Sequence, residues 1–334
     1  MHLFELTRRF VDIESVTGNE KAAGEFLFDY LRPIAERHGG SLERMEVESG
    51  RFNVFASWGR PDIVLSSHFD TVPPFIPSRE DDEFIWGRGS CDAKGIIASM
   101  ITAAEALLAG GVRDLGLLFV VGEERNSAGA RCANAQPRGT RFLINGEPTE
   151  NQLAVGSRGA LRLEVEAQGR MAHSAYPELG ESAIDKLIEA LSRLRDFPWP
   201  VDPLLGEGSC NIGTIHGGRA PNVIPDHATA EVMIRLVNND GDLQQRVKAA
   251  LGDRVSMHLV IEVPPVHLGA VPGIPTTVVK FTTDIPELTN WGQPFLLGPG
   301  TIHVAHTERE HVPKRQLEEA ATLYQHLVKE LKKK

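Results

Sequence analysis

The sequence is poor in cysteine and in positive charge. Its only cysteines are Cys91, Cys132 and Cys210, and no two of them form a CxxC pair. We therefore expect neither a disulfide framework nor a cysteine-ligated metal, and reduced thiols are typical of a cytoplasmic protein. Because 35 Lys and Arg stand against 45 Asp and Glu, the formal charge is −10. That charge argues against binding to the phosphate backbone of a nucleic acid.

Long apolar segments are also missing. The N-terminal residues lack the apolar region of a secretion signal, and no later run approaches the roughly 18 residues of a membrane span. We therefore expect neither export nor a membrane partner. The composition is 41% hydrophobic over 334 residues, and that length exceeds the roughly 250 to 300 residues that one core usually supports. Two domains are predicted.

The first part of the sequence has the pattern of an α/β domain. Apolar positions at helical spacing predict a helix over residues 22–34, and residues 17–20, Thr-Gly-Asn-Glu, match a capping box before it. Continuous apolar runs at residues 63–65, 117–121 and 142–144 are typical of buried strands, with a helical segment at 96–108.

The pattern changes near residue 156. The following segments predict strand 161–167, helix 184–194, strands 211–215 and 228–236, helix 243–251 and strand 255–263. This βαββαβ order is typical of a ferredoxin-like unit. The remaining residues are too few to fold alone, so we expect residues 158–265 to be inserted into a domain made of residues 1–157 and 266–334.

Polar residues follow each of the three apolar runs in the first domain. His68 and Asp70 follow the first run, Glu123 and Glu124 the second, and Glu147 the third. Ligands of open α/β sheets bind outside the carboxyl ends of the strands. Each residue alone is weak evidence, since a histidine near an aspartate is usually a surface pair. Carboxylates gathered at one sheet edge repel each other unless a cation holds them, so together they indicate a metal site.

A glycine-containing segment at residues 86–95 supplies a further carboxylate, Asp92. Lys94 is followed by Gly95 rather than by Ser or Thr, so the phosphate-loop pattern is absent and we reject a nucleotide site. Asp92 is then either a carboxylate that bridges two cations or an ordinary helix N-cap.

The ordered motifs resemble a known family over nearly the whole chain. They are His68-x-Asp70, Gly-Arg-Gly-x-x-Asp92-x-Lys-Gly, Gly-Glu123-Glu124, Glu147-Pro-Thr, Gly-Arg-x-x-His173-Ser, Pro221-Asn222-x-Ile-Pro and Gly-Pro-Gly-x(5)-His306-x-x-x-Glu310. This set resembles the dinuclear zinc amidohydrolases and metallopeptidases that include acetylornithine deacetylase, succinyl-diaminopimelate desuccinylase, aminoacylases and glutamate carboxypeptidase. The resemblance implies an α/β, zinc-peptidase-like catalytic domain with a central mixed sheet. It also implies that the inserted ferredoxin-like domain pairs two chains as a homodimer.

The resemblance implies two Zn²⁺ ions per chain, for which Co²⁺ can substitute. Asp92 would bridge the ions, with His68 and Glu147 at one and Glu124 and His306 at the other. Two such ions lower the pKa of a bound water toward about 7 and polarise an amide carbonyl.

The resemblance also assigns residues next to the metal ligands. Glu123 would be the general base, and Asp70 would hold the His68 ring in its metal-binding tautomer. A cis peptide bond is expected between Asp92 and Ala93. His303 is the alternative to His306, although His306 fits the spacing after the Gly-Pro-Gly segment better.

On the substrate side, the resemblance implies that His173 donates to the oxyanion and reaches the site from the partner subunit. Asn222 and Arg235 would accompany it, with Arg235 suited to a substrate carboxylate. For Arg235 the alternative is an ordinary surface arginine. Further carboxylate candidates are Arg158 and the amides of Gly298 and Gly300. One departure concerns residues 281–288, where the glycines and arginine of the family's Gly-Thr-x-Asp-x-Arg segment are missing and Asp284 takes the aspartate position.

These features predict a cytoplasmic zinc amidohydrolase whose substrate is a small N-acyl-amino acid or a dipeptide. The expected activity is deacetylation of N-acetylornithine or N-acetyl-lysine in amino-acid biosynthesis. Desuccinylase, aminoacylase and dipeptidase or carboxypeptidase activities remain alternatives within the family. A catalytically silent metal-binding regulatory protein is the alternative from another class, and it would predict a damaged base, whereas Glu123 is present.

Overall fold

The structure, a computed structural model, describes residues 2–334. These residues form seven α-helices: α1 (Leu3–Val11), α2 (Lys21–His38), α3 (Lys94–Ala109), α4 (Ala128–Asn134), α5 (Ala183–Arg195), α6 (Leu243–Leu251) and α7 (Lys314–Leu331). None of the helices in this range is long and apolar enough to cross a membrane.

The same residues form eighteen β-strands. They are β1 (Ser41–Glu48), β2 (Arg51–Trp58), β3 (Ile63–His68), β4 (Arg79–Glu80), β5 (Phe84–Trp86), β6 (Leu115–Val120), β7 (Phe142–Asn145), β8 (Leu153–Ser157), β9 (Gly159–Gln168), β10 (Val201–Asp202), β11 (Gly206–Glu207), β12 (Ser209–Gly217), β13 (His227–Leu236), β14 (Ser256–Val263), β15 (Val266–His267), β16 (Thr276–Val279), β17 (Gln293–Leu296) and β18 (His311–Pro313).

The chain divides into two compact units. The first contains residues 1–155, 267–277 and 283–334, and the second contains residues 156–266 and 278–282. Residues 278–282 thus group with the second unit, although residues on both sides of them belong to the first.

The first unit is built on a mixed sheet, which confirms the predicted α/β class. Six of its strands follow the order β1-β2-β6-β3-β7-β17. Strands β6, β3, β7 and β17 are parallel, whereas β1 and β2 are antiparallel to their neighbours. Alternate residues of β3 enter different hydrophobic cores, with Ile63 and Leu65 in one and Val64 in the other. Because both faces are covered, the parallel strands appear in the sequence as continuous apolar runs.

The capping box predicted at residues 17–20 is wrong. Helix α2 has Glu20 as its N-cap, and no side chain caps it. The Glu20 carboxylate instead pairs with Arg51 at 2.6 Å, and the Thr17 hydroxyl donates to Asp70 at 2.7 Å. Hydrogen bonds that involve a charged group are stronger than the neutral cap they replace.

The second unit has the predicted ferredoxin-like order β9-α5-β12-β13-α6-β14. Its antiparallel sheet follows the order β12-β13-β9-β14. Along β13 every second residue from Ala228 to Leu236 is buried, and these side chains pack with residues of α5 and α6 in one core. The opposite face of the sheet keeps its polar side chains, as expected for an antiparallel sheet covered on one side.

Candidate metal centre and substrate-binding residues

The parallel strands of the first unit bring the predicted acidic and histidine residues to one sheet edge. Strand β3 ends at His68, and it lies between β6, which precedes Glu123 and Glu124, and β7, which precedes Glu147. The order β6-β3-β7 therefore puts His68 between two acidic strand ends. This placement follows from the general position of ligand sites at the carboxyl ends of parallel strands.

Asp92 lies between two pairs of histidine and glutamate side chains. Its Oδ1 is 3.0 Å from His68 Nε2, and its Oδ2 is 3.5 Å from His306 Nε2. His68 Nε2 is also 3.9 Å from Glu147 Oε1, and His306 Nε2 is 3.0 Å from Glu124 Oε2. The two carboxylate oxygens of Asp92 thus face different histidine–glutamate pairs.

Asp92 does not serve as a helix cap. The N-cap of α3 is Ala93, and no side chain accepts a hydrogen bond there. The peptide bond between Asp92 and Ala93 is cis, as the resemblance implied. The alternative of an ordinary N-cap therefore has no support in the structure.

Asp70 organises the residues around His68. The His68 Nδ1 donates to the Asp70 backbone carbonyl at 3.1 Å, so a neutral ring would offer its Nε2 lone pair to a metal, whereas a protonated ring donates from Nε2 to Asp92 at 3.0 Å. The Asp70 carboxylate, 3.5 Å from the same Nδ1, accepts from Thr17 and from the backbone amides of Glu123 and Glu124 at 3.1 and 3.2 Å. The backbone carbonyl, more than the carboxylate, fixes the tautomer.

The acidic groups of the centre have histidine neighbours but no Lys or Arg partner in the described chain. No Lys or Arg among residues 2–334 pairs with Asp92, Glu123, Glu124 or Glu147, and Glu147 Oε1 is buried without a hydrogen-bond partner. Burial raises the pKa of each of the three glutamates, and neighbouring carboxylates raise it further. Burial also raises the pKa of Asp92, but hydrogen bonds from His306 and His68 bring it below its usual value.

The donor set fits a divalent metal. Ligand atoms of His68, Asp92 and Glu124 lie within 4.8 Å of one another. Imidazole nitrogen and carboxylate oxygen are ligands that Zn²⁺ accepts, and an uncompensated buried carboxylate is the environment that a cation stabilises.

His306, and not His303, lies with these acids. Hydrogen bonds to Asp92 and Glu124 raise the pKa of His306 to about 10, and its φ of 63° is left-handed, which is uncommon outside glycine. The exposed side chain of His303 contacts no acidic group within residues 2–334.

In the second unit, His173 and Asn222 are neighbours on paired loop segments. The Ser174 amide donates to the Asn222 carbonyl at 3.0 Å, and His173 forms an isolated β-bridge with Val223. The Ala175 amide donates to His173 Nδ1 at 3.1 Å. A neutral His173 ring therefore carries its proton on Nε2, on an exposed side chain.

Arg158 and Arg235 also lie close together in the second unit. Burial and the nearby Arg158 lower the pKa of Arg235. Arg158 donates to the Leu205 carbonyl at 3.0 Å, and no acidic side chain of residues 2–334 pairs with either arginine. Two guanidinium groups without a counter-charge favour binding of an anion.

The structure argues against the amides of Gly298 and Gly300 as carboxylate donors. The Gly298 amide donates to Thr149 Oγ1 at 3.0 Å, and the Gly300 amide donates to Gln316 Oε1 at 2.7 Å. Neither N–H is left free. The glycines are needed for close approach instead, because a Cβ at Gly298 would collide with the Glu147 carbonyl.

Two residues next to the centre received no role from the sequence. The sequence pattern does not distinguish Thr17 from a capping residue, yet the Thr17 hydroxyl donates to the Asp70 carboxylate. Glu310 belongs to the last motif, four residues after His306, and it is buried against the segment that contains Asp92. The position of Glu310 in that motif is the sequence feature that could have pointed to a role for it.

Comparisons with known proteins agree with this architecture. The peptidase dimerisation domain of the M20 family matches residues 155–260. A peptidase M20 domain-containing protein of Schizosaccharomyces pombe is 39% identical over 340 residues, covering 98% of this chain and 84% of its own. A protein of Aspergillus fumigatus named "probable carboxypeptidase" is 39% identical over 381 residues, covering 98% of this chain and 86% of its own.

Solved structures show the same fold at low identity. A Staphylococcus aureus tripeptidase superposes with a TM-score of 0.82 at 21% identity, covering 99% of this chain and 98% of that one. A dinuclear metal-binding M20 peptidase of Bacillus subtilis has a TM-score of 0.70 at 16% identity, covering 97% and 96%. With relatives that match almost its whole length, the chain belongs to the M20 family of metallopeptidases, which hydrolyse amide bonds.

Proposed function

We propose that this chain is a two-zinc hydrolase of amide bonds that precede a residue with a free α-carboxylate, acting as a carboxypeptidase or dipeptidase. The position of Asp92 between the pairs His68–Glu147 and His306–Glu124 is the observation that carries the proposal. The names of the relatives support the peptidase class. Deacetylation of an N-acetyl-amino acid such as N-acetylornithine is the second candidate, because the Arg158–Arg235 pair suits the carboxylate of either substrate.

The residues around Asp92 would hold the metal ions. Asp92 would be shared, with His68 and Glu147 on one side and Glu124 and His306 on the other. Bound zinc would supply Lewis-acid polarisation of the amide carbonyl and would activate water for attack at neutral pH.

Glu123 is the proposed general base. Its backbone amide is fixed by Asp70 at 3.1 Å, while its side chain makes no ion pair with a basic residue of the described chain. Burial raises the pKa of Glu123 well above its ordinary value, which makes the carboxylate a better proton acceptor than an exposed glutamate. Glu123 would remove the proton of the attacking water and deliver it to the leaving amine.

The second unit would supply the groups that recognise the substrate. His173 has Nε2–H available when neutral, so it can donate to an oxyanion, with Asn222 beside it. Arg235 would bind the α-carboxylate, and Arg158 would strengthen the positive potential there.

The proposal is tested on a substrate panel with matched carboxylates and amides. The panel contains N-acetyl-amino acids, N-succinyl-amino acids, dipeptides and the C-terminal amides of the same compounds, each with added zinc or cobalt. We expect hydrolysis of the free acids and its loss after chelation. Full activity after exhaustive metal removal would overturn the proposal, and metal binding with no hydrolysis would favour a silent regulatory protein.

We further propose a homodimer in which His173 serves the metal centre of the partner chain. The dimerisation-domain match and the exposed side chain of His173 support this arrangement. Two inactive variants, Glu123→Ala and His173→Ala, should then complement each other after dissociation and mixing. Random exchange gives about one quarter of the wild-type sites, since half of the dimers are mixed and each has one complete site. No recovery despite exchange confirmed by differential tags would place His173 within its own chain.

Cytoplasmic location remains a proposal. It is supported by the three cysteines, none of which is paired in the part of the chain that the structure describes. Thiol trapping before lysis measures the redox state of these cysteines in cells. Oxidised thiols would contradict a cytoplasmic location.

A further inference from the structure

We infer that Glu310 is a positioning residue that holds Asp92 in place between its two histidines, an inference that rests on the proposed metal centre. Glu310 is 2% exposed and lies in the first unit with Asp92. It is too far along the chain to be a local cap, because 218 positions separate the two residues. Its contacts with the Asp92 segment are therefore tertiary.

One oxygen of Glu310 binds the backbone of the Asp92 segment at three points. Its Oε1 accepts from the amides of Gly89 at 2.8 Å, Cys91 at 3.2 Å and Asp92 at 3.1 Å. These amides lie just before α3, where no side chain caps the helix. A carboxylate that accepts several backbone hydrogen bonds fixes the backbone atoms from which the Asp92 side chain extends.

The other oxygen of Glu310 has its own buried partner. Its Oε2 accepts from Arg88 Nη1 at 2.6 Å, and Arg88 is also 2% exposed. The Arg88 Nε donates to the Pro74 carbonyl at 3.3 Å, so the guanidinium is fixed from a second side. Arg88 balances the charge of Glu310, which would otherwise stand uncompensated beside the acidic centre.

The same short segment also provides His306. Its imidazole faces Asp92 Oδ2, while Glu310, four residues later, holds the Asp92 backbone. Residues 306–310 therefore contact Asp92 at both its side chain and its main chain. Loss of Glu310 would leave three amides without an acceptor and Arg88 without its ion-pair partner, although every proposed metal ligand would remain.

Residues that orient metal ligands typically change metal affinity by about 10- to 100-fold when they are replaced. We expect an effect of about that size for Glu310→Gln, whose amide oxygen can still accept from the backbone but whose NH₂ group faces Arg88. Glu310→Ala should have a larger effect. With saturating zinc, kcat of Glu310→Gln should largely recover, and KM for substrate should change little.

The matched control is Asp62→Asn. Asp62 forms a two-point ion pair with Arg141, at 2.6 Å for each contact, in the same unit but just before the start of β3, whereas His68 ends that strand. Both variants remove one arginine–carboxylate pair. Only the Glu310 variant should weaken zinc binding, and the Asp62 variant should lower the thermal midpoint less because its ion pair is partly exposed.

The experiment measures zinc affinity, zinc release to a chelator and thermal midpoint for the wild type, Glu310→Gln, Glu310→Ala and Asp62→Asn. Wild-type zinc affinity in a folded Glu310→Gln protein, with only a lower midpoint, would reduce Glu310 to a structural role and overturn the inference. If Glu310→Ala does not fold, Glu310→Gln still decides. Absence of zinc binding by the wild type would instead overturn the proposed function and the inference together.

Discussion

The two units of this chain carry opposite kinds of unsatisfied polar groups. The first unit gathers carboxylates at the ends of parallel strands, and none of Glu123, Glu124 and Glu147 pairs with a Lys or Arg of residues 2–334. The second unit carries an exposed histidine and asparagine on loops and two arginines without an acidic partner. The first arrangement favours a cation and the second an anion or oxyanion. Each unit by itself provides one of these two environments.

The two units also differ in how their groups are held. His68, Asp70 and Asp92 are fixed by buried hydrogen bonds to backbone atoms and to one another. His173 and Asn222 are exposed and joined mainly through their main chains. Changes in the first unit should therefore alter metal binding or turnover, and changes in the second should alter substrate selection.

The largest expected effect on turnover comes from the general base. Glu123→Ala should lower turnover by about 10² to 10⁴-fold, the usual range for a positioned acid–base group. Its fold and metal content should remain, because the proposed ligands are other residues. Steady-state kinetics and metal analysis of the same preparation provide the measurement, and loss of metal would instead identify Glu123 as a ligand.

The second prediction compares the metal content of variants at two histidines that are three residues apart. His306→Ala should lose most of one metal ion, because His306 is the residue that faces Asp92 and Glu124. His303→Ala is the matched control and should keep its metal, since its side chain contacts no acid in residues 2–334. Metal content per chain, measured after dialysis against buffered zinc, decides between them. The reverse result would show that the other histidine is the ligand.

A smaller effect is expected for substrate selection in the second unit. Arg235→Ala should raise KM by about 10- to 100-fold for substrates with a free α-carboxylate, which corresponds to the loss of one charge-assisted hydrogen bond. Arg162→Ala is the control, because Arg162 lies on the same sheet but already pairs with Glu231 at 2.7 Å. An equal effect of Arg235→Ala on the corresponding amides would remove the carboxylate assignment.

The positions of the acidic strand ends could be predicted from the sequence because the strands before them are covered on both faces. Continuous apolar runs mark such strands, and parallel neighbours end at one edge. Strand β1 gave no such signal, since Met45 is its only fully buried residue. The choice between His303 and His306 depends on a left-handed residue in an irregular segment, where no periodicity applies. The buried role of Glu310 depends on contacts more than 200 residues apart, which local patterns do not encode.

The last prediction concerns stability, because the smallest effect on turnover is expected for Asp284. It tests whether this buried carboxylate in the first unit lowers the free energy of unfolding. Asp284 is 1% exposed, and neither carboxylate oxygen has a hydrogen-bond partner. Burial raises its pKa from 3.8 to about 7, so the folded chain binds more protons than the unfolded chain between these values. The unfolding free energy should therefore fall as the pH rises from about 4 to 7, by at most about 1.4 kcal/mol per pH unit. Asp284→Asn keeps the shape without the charge, so the chelator-treated variant and wild type should differ least near pH 4, and the variant should be clearly more stable at pH 8. Denaturant unfolding at both pH values measures this difference, and parallel pH profiles would show that Asp284 does not titrate in this range.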